Sequence, residues 1–397
     1  MQSTRPEEVL LLGPGPSPVH ASVLEALGWP TLGHLDPQFL AYMNETMELL
    51  RRVFETTNRL TLPISGTGSS GMEATFVNLL EPGDKIIIGV CGVFGARMVD
   101  MASRCNAQVI QVTAEWGQPL DPAGFERALA EHPDTKVVAF VHAETSTGVL
   151  QPTEAIVKAA HARGALVLVD TVTSLGGMPV QVDERGFDMV FSGTQKCLSC
   201  PPGLAPLTVN ERGLEALRSR RGKVQSWYFD LTMIASYWGS ERVYHHTAPV
   251  NMVYGLYQAL KLIDQEGLEP RFRRHRINSQ ALAAGLGQYG IGLVPPAEHS
   301  LPSLVVVHIP QGVADGAVRE RLRKTHLIEI GGGLGPFKGR VWRIGLMGEG
   351  SRRANVERLL DALGETLNTL GYSCSVDQAM AAAAGVYAAA GCPGDCR

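Results

Sequence analysis

A lysine among small, mostly uncharged neighbours could do covalent chemistry. Lys196 lies in Ser-Gly-Thr-Gln-Lys-Cys-Leu-Ser-Cys-Pro-Pro-Gly, directly after the apolar run Met189–Phe191. Burial would lower its pKa and free its amine to form a Schiff base. A solvated loop lysine is the plainer reading of this segment alone. Asp170 ends another apolar run, Ala-Leu-Val-Leu-Val-Asp. A carboxylate there could hold a cationic ring nitrogen, or could serve as a turn or cap residue. Arg343 sits inside Val-Trp-Arg-Ile-Gly-Leu-Met-Gly, and a buried Arg needs an anion. Its partner could be a structural Asp or Glu, or a substrate carboxylate gripped by two parallel bonds.

Ser65 to Ser70 read Ser-Gly-Thr-Gly-Ser-Ser before a helical stretch. Small residues and the free N–H groups of a first helical turn suit an anion. The segment is neither a P-loop nor a dinucleotide fingerprint, and a plain Gly-rich turn is the alternative. His142 and Glu144 bracket one residue of another loop, so on extended backbone they would share a face; no third ligand suggests a metal. Cys197 and Cys200 form a lone Cys-x-x-Cys followed by Pro-Pro-Gly, which points to loop packing more than to zinc or redox use. A phosphate cradle, a strand-end Asp and a Lys after the next strand suit pyridoxal phosphate (PLP) together: helix N-terminus for phosphate, Asp for pyridinium, Lys for aldehyde.

These residues need elements to position them. Short apolar runs, Lys85–Val90, Val109–Val112, Lys136–His142, Ala165–Val169 and Met189–Phe191, alternate with amphipathic stretches such as Asp121–Glu131 and Thr153–Arg163. That pattern predicts an α/β fold whose mainly parallel sheet is buried between helices, with ligands at the strands' carboxyl ends. Asp36-Pro37 opens a helix carrying Phe39, Met43, Met47, Leu50 and Phe54 at helical spacing. Ser70 and Glu73 have capping-box spacing. After about residue 268 the character changes to a smaller α+β unit. It comprises a helix with Arg271, Arg273, Arg274 and Arg276, read as a solvated face, a strand Ser303–Ile309, a helix Ala317–Lys324, a turn Gly331–Gly335, a strand Arg340–Leu346 and a helix Asn355–Leu370. From Ala379 an Ala-rich tail reads as a short helix with a frayed end. The expected division is an arm 1–20, a large domain 21–267, a small C-terminal domain 268–372 and a tail 373–397.

Composition narrows the class. The chain has 397 residues, 45% of them hydrophobic and 19% charged, which excludes a disordered chain and predicts a large core. The net charge of -4 provides no field for nucleic acid or an acidic membrane. The run Ile277–Ala297 is uncharged but broken by Asn, Gln, Gly and Pro-Pro, so it is a poor bilayer span. The apolar run Val9–Leu12 is too short for a signal peptide, and the final Gly-Asp-Cys-Arg matches no lipid or organelle address. Seven scattered Cys argue for reduced thiols and a cytoplasmic setting.

Taken in order along the chain, the motifs resemble the class V aminotransferases of fold type I, with the nearest likeness to alanine–glyoxylate and serine–glyoxylate enzymes. The shared stretches are LLGPGPSPV, LTLPISGTGSSGMEA, EPGD, HAETSTGVLQP, VLVDTVTSLGG, SGTQKCLSCPPG, YHHT at 244–247 and RIGLMG, spanning about Leu10 to Leu370. The resemblance implies a large domain with a mainly parallel seven-stranded sheet, a smaller α+β domain, and a homodimer with shared active sites. It implies that Lys196 carries PLP as a Schiff base and moves the substrate proton, and that Asp170 keeps the ring nitrogen protonated. Thr67, Gly68, Ser69 and Gln195 would hold the phosphate, Thr145 would lie by the ring hydroxyl, and Phe94 would stack where many relatives have Trp. Tyr244 and Thr247 would reach the phosphate of the neighbouring subunit. Arg343, with Gly33, His34 and Tyr244, would meet the substrate. His34 replaces the small residue that often follows the early Gly.

The activity so implied is a ping-pong transfer of an amino group from alanine or serine to glyoxylate, giving glycine and pyruvate or hydroxypyruvate. A rival in the same family is (S)-ureidoglycine–glyoxylate transamination in purine breakdown. That branch also shares GTQKCLS, YFDL and the Ala-rich tail, but prefers amide side chains at the positions of His34 and Tyr244. A PLP lyase or cysteine desulfurase on the same fold, and a scaffold that has lost catalysis, are more distant alternatives.

Overall fold

The computed structural model describes residues 6–391. Seven strands form the central sheet, in the spatial order Leu60–Ser65, Leu204–Val209, Met189–Phe191, Leu166–Asp170, Thr135–Val141, Lys85–Val90 and Gln108–Thr113. Leu204–Val209 runs antiparallel to both of its neighbours, and the remaining pairings are parallel. Leu166–Asp170 is buried along its whole length, as a strand covered on both faces must be. The parallel strands therefore end on one edge. Ser65, Val90, Val141, Asp170 and Phe191 all hand the chain to loops there.

Helix Pro37–Phe54 forms as its sequence requires. Asp36 caps it by accepting a 2.8 Å bond from the Gln38 amide, Pro37 takes the first position, and Phe39, Met43, Leu50 and Phe54 are buried. Glu55, at φ 55°, ends it in the left-handed region. The expected capping box at Ser70 and Glu73 is wrong. The helix starts earlier, at Gly68, with Thr67 at its cap. Gly66 turns the chain at φ +149°, a value that side-chain-bearing residues avoid. Ser70 Oγ then points back to donate to the Thr67 carbonyl at 2.6 Å.

The second core gathers Val305, Val307, Trp342, Ile344, Leu359 and Leu363, together with Leu12 from the N-terminal segment. Its sheet is antiparallel: Leu304–His308 and Gly331–Gly332 flank Val341–Gly345. Part of the expected Gly-rich turn is thus a strand, Gly331 lying opposite Arg343. A Cβ on Gly331 would stand 2.4 Å from Pro14 Cδ, so the N-terminal segment can pack there only against glycine. Leu10–Leu11 pairs in parallel with Ile328–Glu329.

The Ala-rich tail is more than a short frayed helix. Val376–Ala389 is a 14-residue helix that buries Ala379, Ala383 and Tyr387 in the second core, and Tyr387 donates to Asn278 Oδ1 at 2.9 Å. The tail from Cys392 onward lies outside the described residues. No helix among the described residues is long and apolar enough to cross a membrane.

The arginine face of helix Leu268–Gln288 also differs from expectation. Arg273 and Arg276 face solvent, but Arg271 and Arg274 are buried. Both guanidiniums pair with Glu266, at 2.5 and 2.6 Å. Arg271 also donates to the carbonyls of Gly176 and Cys197, at 2.7 and 2.6 Å, and Arg274 to those of Gly348 and Ser351. A buried charge needs such partners, and these bonds tie the loop after Lys196 to the loop that follows the Arg343 strand.

Candidate active site

Lys196 follows the strand Met189–Phe191 and turns its side chain under the N-terminal segment. Its Nζ donates to the Pro14 carbonyl, and a Cβ on Gly15 would stand 2.8 Å from that Nζ. Ser17 holds the same stretch, donating through Oγ to the Lys196 carbonyl at 2.7 Å and through its amide to that of Gln195 at 2.9 Å. Burial pulls the Lys196 ammonium down to about 8, with Arg343 adding to the effect. The solvated-loop reading of Lys196 is thereby replaced by a buried amine.

Asp170 shares the cavity with Lys196. Both line one narrow pocket together with Phe94, Val141, Ala143, Thr145, Val172 and Thr173. Asp170 accepts 2.8 Å from the Val172 amide and is 3% exposed. Burial pushes its carboxyl up to about 7. A carboxyl so desolvated gains from a cation brought into the cavity, which would draw its pKa down again.

Arg343 is 7% exposed and forms no ion pair among the described residues. Its Nε donates to the Gly332 carbonyl at 2.7 Å and its Nη1 reaches the Thr145 carbonyl at 3.5 Å. Burial lowers its pKa and the charge of Glu144 raises it. Of the two partners left open by the sequence, the structural carboxylate is not at ion-pair distance. The guanidinium retains capacity for an incoming carboxylate.

His142 and Glu144 serve different loops. The His142 Nδ1 meets Ser174 Oγ at 3.0 Å, and burial pulls the imidazole down to about 3, so it is neutral. Glu144, wholly buried, accepts from the Phe94 and Gly95 amides at 3.1 and 3.3 Å and from Ser146. It therefore anchors the loop that carries Phe94. Cys197 donates to the Thr173 carbonyl at 3.3 Å. Burial pushes the Cys197 and Cys200 thiols up to about 11 and about 12. Among the described residues no cluster of three or more His, Cys, Asp or Glu could hold a metal.

Gly68 opens its helix against Gly193: a Cβ there would lie 3.5 Å from Gly193 Cα. Gln195 folds beside them, and its buried Oε1 has no hydrogen-bond partner among the described residues. Thr67, Gly68, Ser69 and Gln195 thus meet at one corner. Tyr244 and Thr247 do not join the Lys196 cavity of their own chain. Tyr244 is 57% exposed, with its ring centroid 5.0 Å from that of His34. Gly33 and Thr247 are exposed as well.

Two contributors were not legible in sequence: the Pro14–Ser17 wrap and the Glu144 anchor. Only the Gly-Pro-Gly-Pro run hinted at the first.

The cavity chemistry can be tested against PLP. A buried carboxyl without a cation, a buried amine with a lowered pKa, and the N-terminus of the helix that opens at Gly68 fit its ring nitrogen, aldehyde and phosphate. Fold and site together define a PLP-dependent transferase of the doubly wound α/β type. The sequence matches the family model Aminotransferase class-V over residues 20–334, and the chain belongs to the class V aminotransferases, which depend on PLP. It is 39% identical to the alanine–glyoxylate aminotransferase of Mus musculus, covering 90% of this chain and 87% of that one. The crystal structure of an alanine–glyoxylate aminotransferase from Nostoc sp. superposes with a TM-score of 0.91 at 48% identity, covering 92% of this chain and 97% of that one. That of the ureidoglycine–glyoxylate aminotransferase from Bacillus subtilis superposes at 0.95 with 39% identity, covering 98% and 100%.

Proposed function

We propose that this aminotransferase passes an amino group from alanine or serine to glyoxylate, forming glycine and pyruvate or hydroxypyruvate. The observation that carries the reading is the enclosure of Lys196 and Asp170 in one cavity, with an ion-pair-free Arg343 close enough to lower the Lys196 pKa. Lys196 carries the cofactor and moves the proton at the substrate Cα. Its lowered pKa leaves a useful fraction of neutral amine near pH 8. Asp170 holds the proton on the ring nitrogen, Phe94 packs on the ring, and Thr145 lies at its hydroxyl. Arg343 grips the substrate carboxylate. Bound PLP supplies the electron sink. Thr67, Gly68, Ser69 and Gln195 hold its phosphate, and Tyr244 and Thr247 of a second copy complete the site in a homodimer. The exposure of the Tyr244 ring in the single chain supports this assembly.

Gly33, His34 and Tyr244, brought by the second copy, limit the substrate's side chain. The relatives include both alanine and ureidoglycine enzymes at similar identity, so ureidoglycine is kept as the second donor. The His34–Tyr244 ring pair favours alanine or serine, because it offers no amide at either position to meet a ureido group. Desulfurase chemistry is disfavoured, since the two thiols adjoining Lys196 are buried and protonated.

The test is an absorbance scan of purified protein with alanine, serine and ureidoglycine added separately. A band at roughly 400 nm that one donor moves to roughly 330 nm and glyoxylate restores would name the donor. Persistence of the band in Lys196→Ala would overturn the assignment of Lys196.

A further inference from the structure

The residues assigned to the cofactor's phosphate (Thr67, Gly68, Ser69 and Gln195, with Tyr244 and Thr247 of a second copy) are all uncharged near neutral pH. A phosphate monoester carries about -1.5 to -2 at pH 7. The N-terminus of helix Gly68–Leu79 offers roughly +0.5. The corner therefore lacks a cation, and the neighbouring helix Val93–Arg104 supplies one. Arg97 Nη1 donates to Ser69 Oγ at 3.2 Å. Its guanidinium carbon stands 4.8 Å from the centroid of the Phe94 ring. Arg97 forms no ion pair among the described residues, so its charge is uncommitted. That charge is felt by both Asp170 and Lys196, which places it within electrostatic reach of the whole cavity. Arg97 lies one helical turn after Phe94, so one helix face presents the ring and the guanidinium together.

We propose that Arg97 is a phosphate ligand of this site, pairing with the cofactor's phosphate at Ser69 while its guanidinium covers the Phe94 ring. This rests on the cofactor reading above and extends it to a residue outside the predicted set. Planar guanidinium suits both tasks, phosphate on its edge and an aromatic ring on its face.

Cofactor-free wild type, Arg97→Gln and Arg97→Lys would be titrated with PLP, with unphosphorylated pyridoxal and with inorganic phosphate, by calorimetry. Arg97 is exposed, so melting temperatures should be unchanged, which checks that the variants fold. Arg97→Gln is expected to weaken PLP and inorganic phosphate by roughly ten- to hundredfold and to leave pyridoxal alone. Arg97→Lys should recover most of the loss, because the charge remains. Equal weakening of PLP and pyridoxal would overturn the proposal, leaving Arg97 a support for Phe94 only. So would unchanged PLP affinity in Arg97→Gln. If the wild type itself binds neither PLP nor pyridoxal, the cofactor reading fails first and takes this inference with it.

Discussion

Lys196 and Asp170 are shifted by the same cause in opposite senses: burial disfavours both charged forms. Only the neutral amine attacks an aldehyde. Capture of PLP by the cofactor-free protein should therefore accelerate as pH rises through about 8, well below the ordinary lysine range, as stopped-flow absorbance would record. Asp170→Asn should fold normally and lose roughly 10²- to 10⁴-fold in kcat, measured with alanine and glyoxylate. His142 tests burial away from the chemistry. Its folded pKa is depressed to about 3 from about 6.5, so its contribution to stability is present above 6.5 and is lost as pH falls. Between pH 6.5 and 5 the loss is about 2 kcal/mol. His142→Gln lacks that titration, so the gap in melting temperature between wild type and variant should narrow as pH is lowered over this window.

At the scale of elements, the strands and helices that deliver the site were legible because their patterns are local. The run ALVLVD forecast a buried strand ending in Asp170, and Asp-Pro forecast a helix start. The capping box failed because Ser70 and Glu73 have the spacing of a cap without the position of one; Gly66 had already turned the chain. The Arg271–Arg274 face failed for a different reason. Helical periodicity says which residues share a face, not whether another element covers it. Glu266 stands only a few residues upstream of both arginines, yet the carbonyls that complete their shells come from Gly176, Cys197, Gly348 and Ser351. Glu266→Gln would leave two buried guanidiniums short of an anion. It should cost about 3–5 kcal/mol, seen as a large drop in the denaturation midpoint.

For the whole molecule, the second core is closed by segments from both ends of the chain. Leu12 enters from the N-terminal side, and Ala379, Ala383 and Tyr387 come from helix Val376–Ala389. A chain ending at Cys374 would uncover that core. Burial of Tyr387 alone is worth about 1.5–3 kcal/mol by analogy with other large side chains. The shortened protein should melt lower and bind an apolar dye more strongly. The same N-terminal segment packs on both Gly331 and Lys196, so the second core and the amine share one strap. Loosening the second core is therefore also expected to raise the KM for the amino donor.

The sequence by itself determined the alternation of strands and helices, the sheet edge that carries Asp170 and Lys196, and the place of Arg343 within a strand. Those follow from periodicity of two and of 3.6 residues and from turn chemistry, each a property of a few neighbouring residues. Only the tertiary structure decided that Arg343 has no structural carboxylate at ion-pair distance, that Arg271 and Arg274 are buried on Glu266, and that Pro14 covers Lys196. It also decided that Arg97 stands at Ser69. These outcomes depend on which surfaces the packed chain brings together. Pro14 and Lys196 are 182 residues apart, and no local pattern encodes their contact.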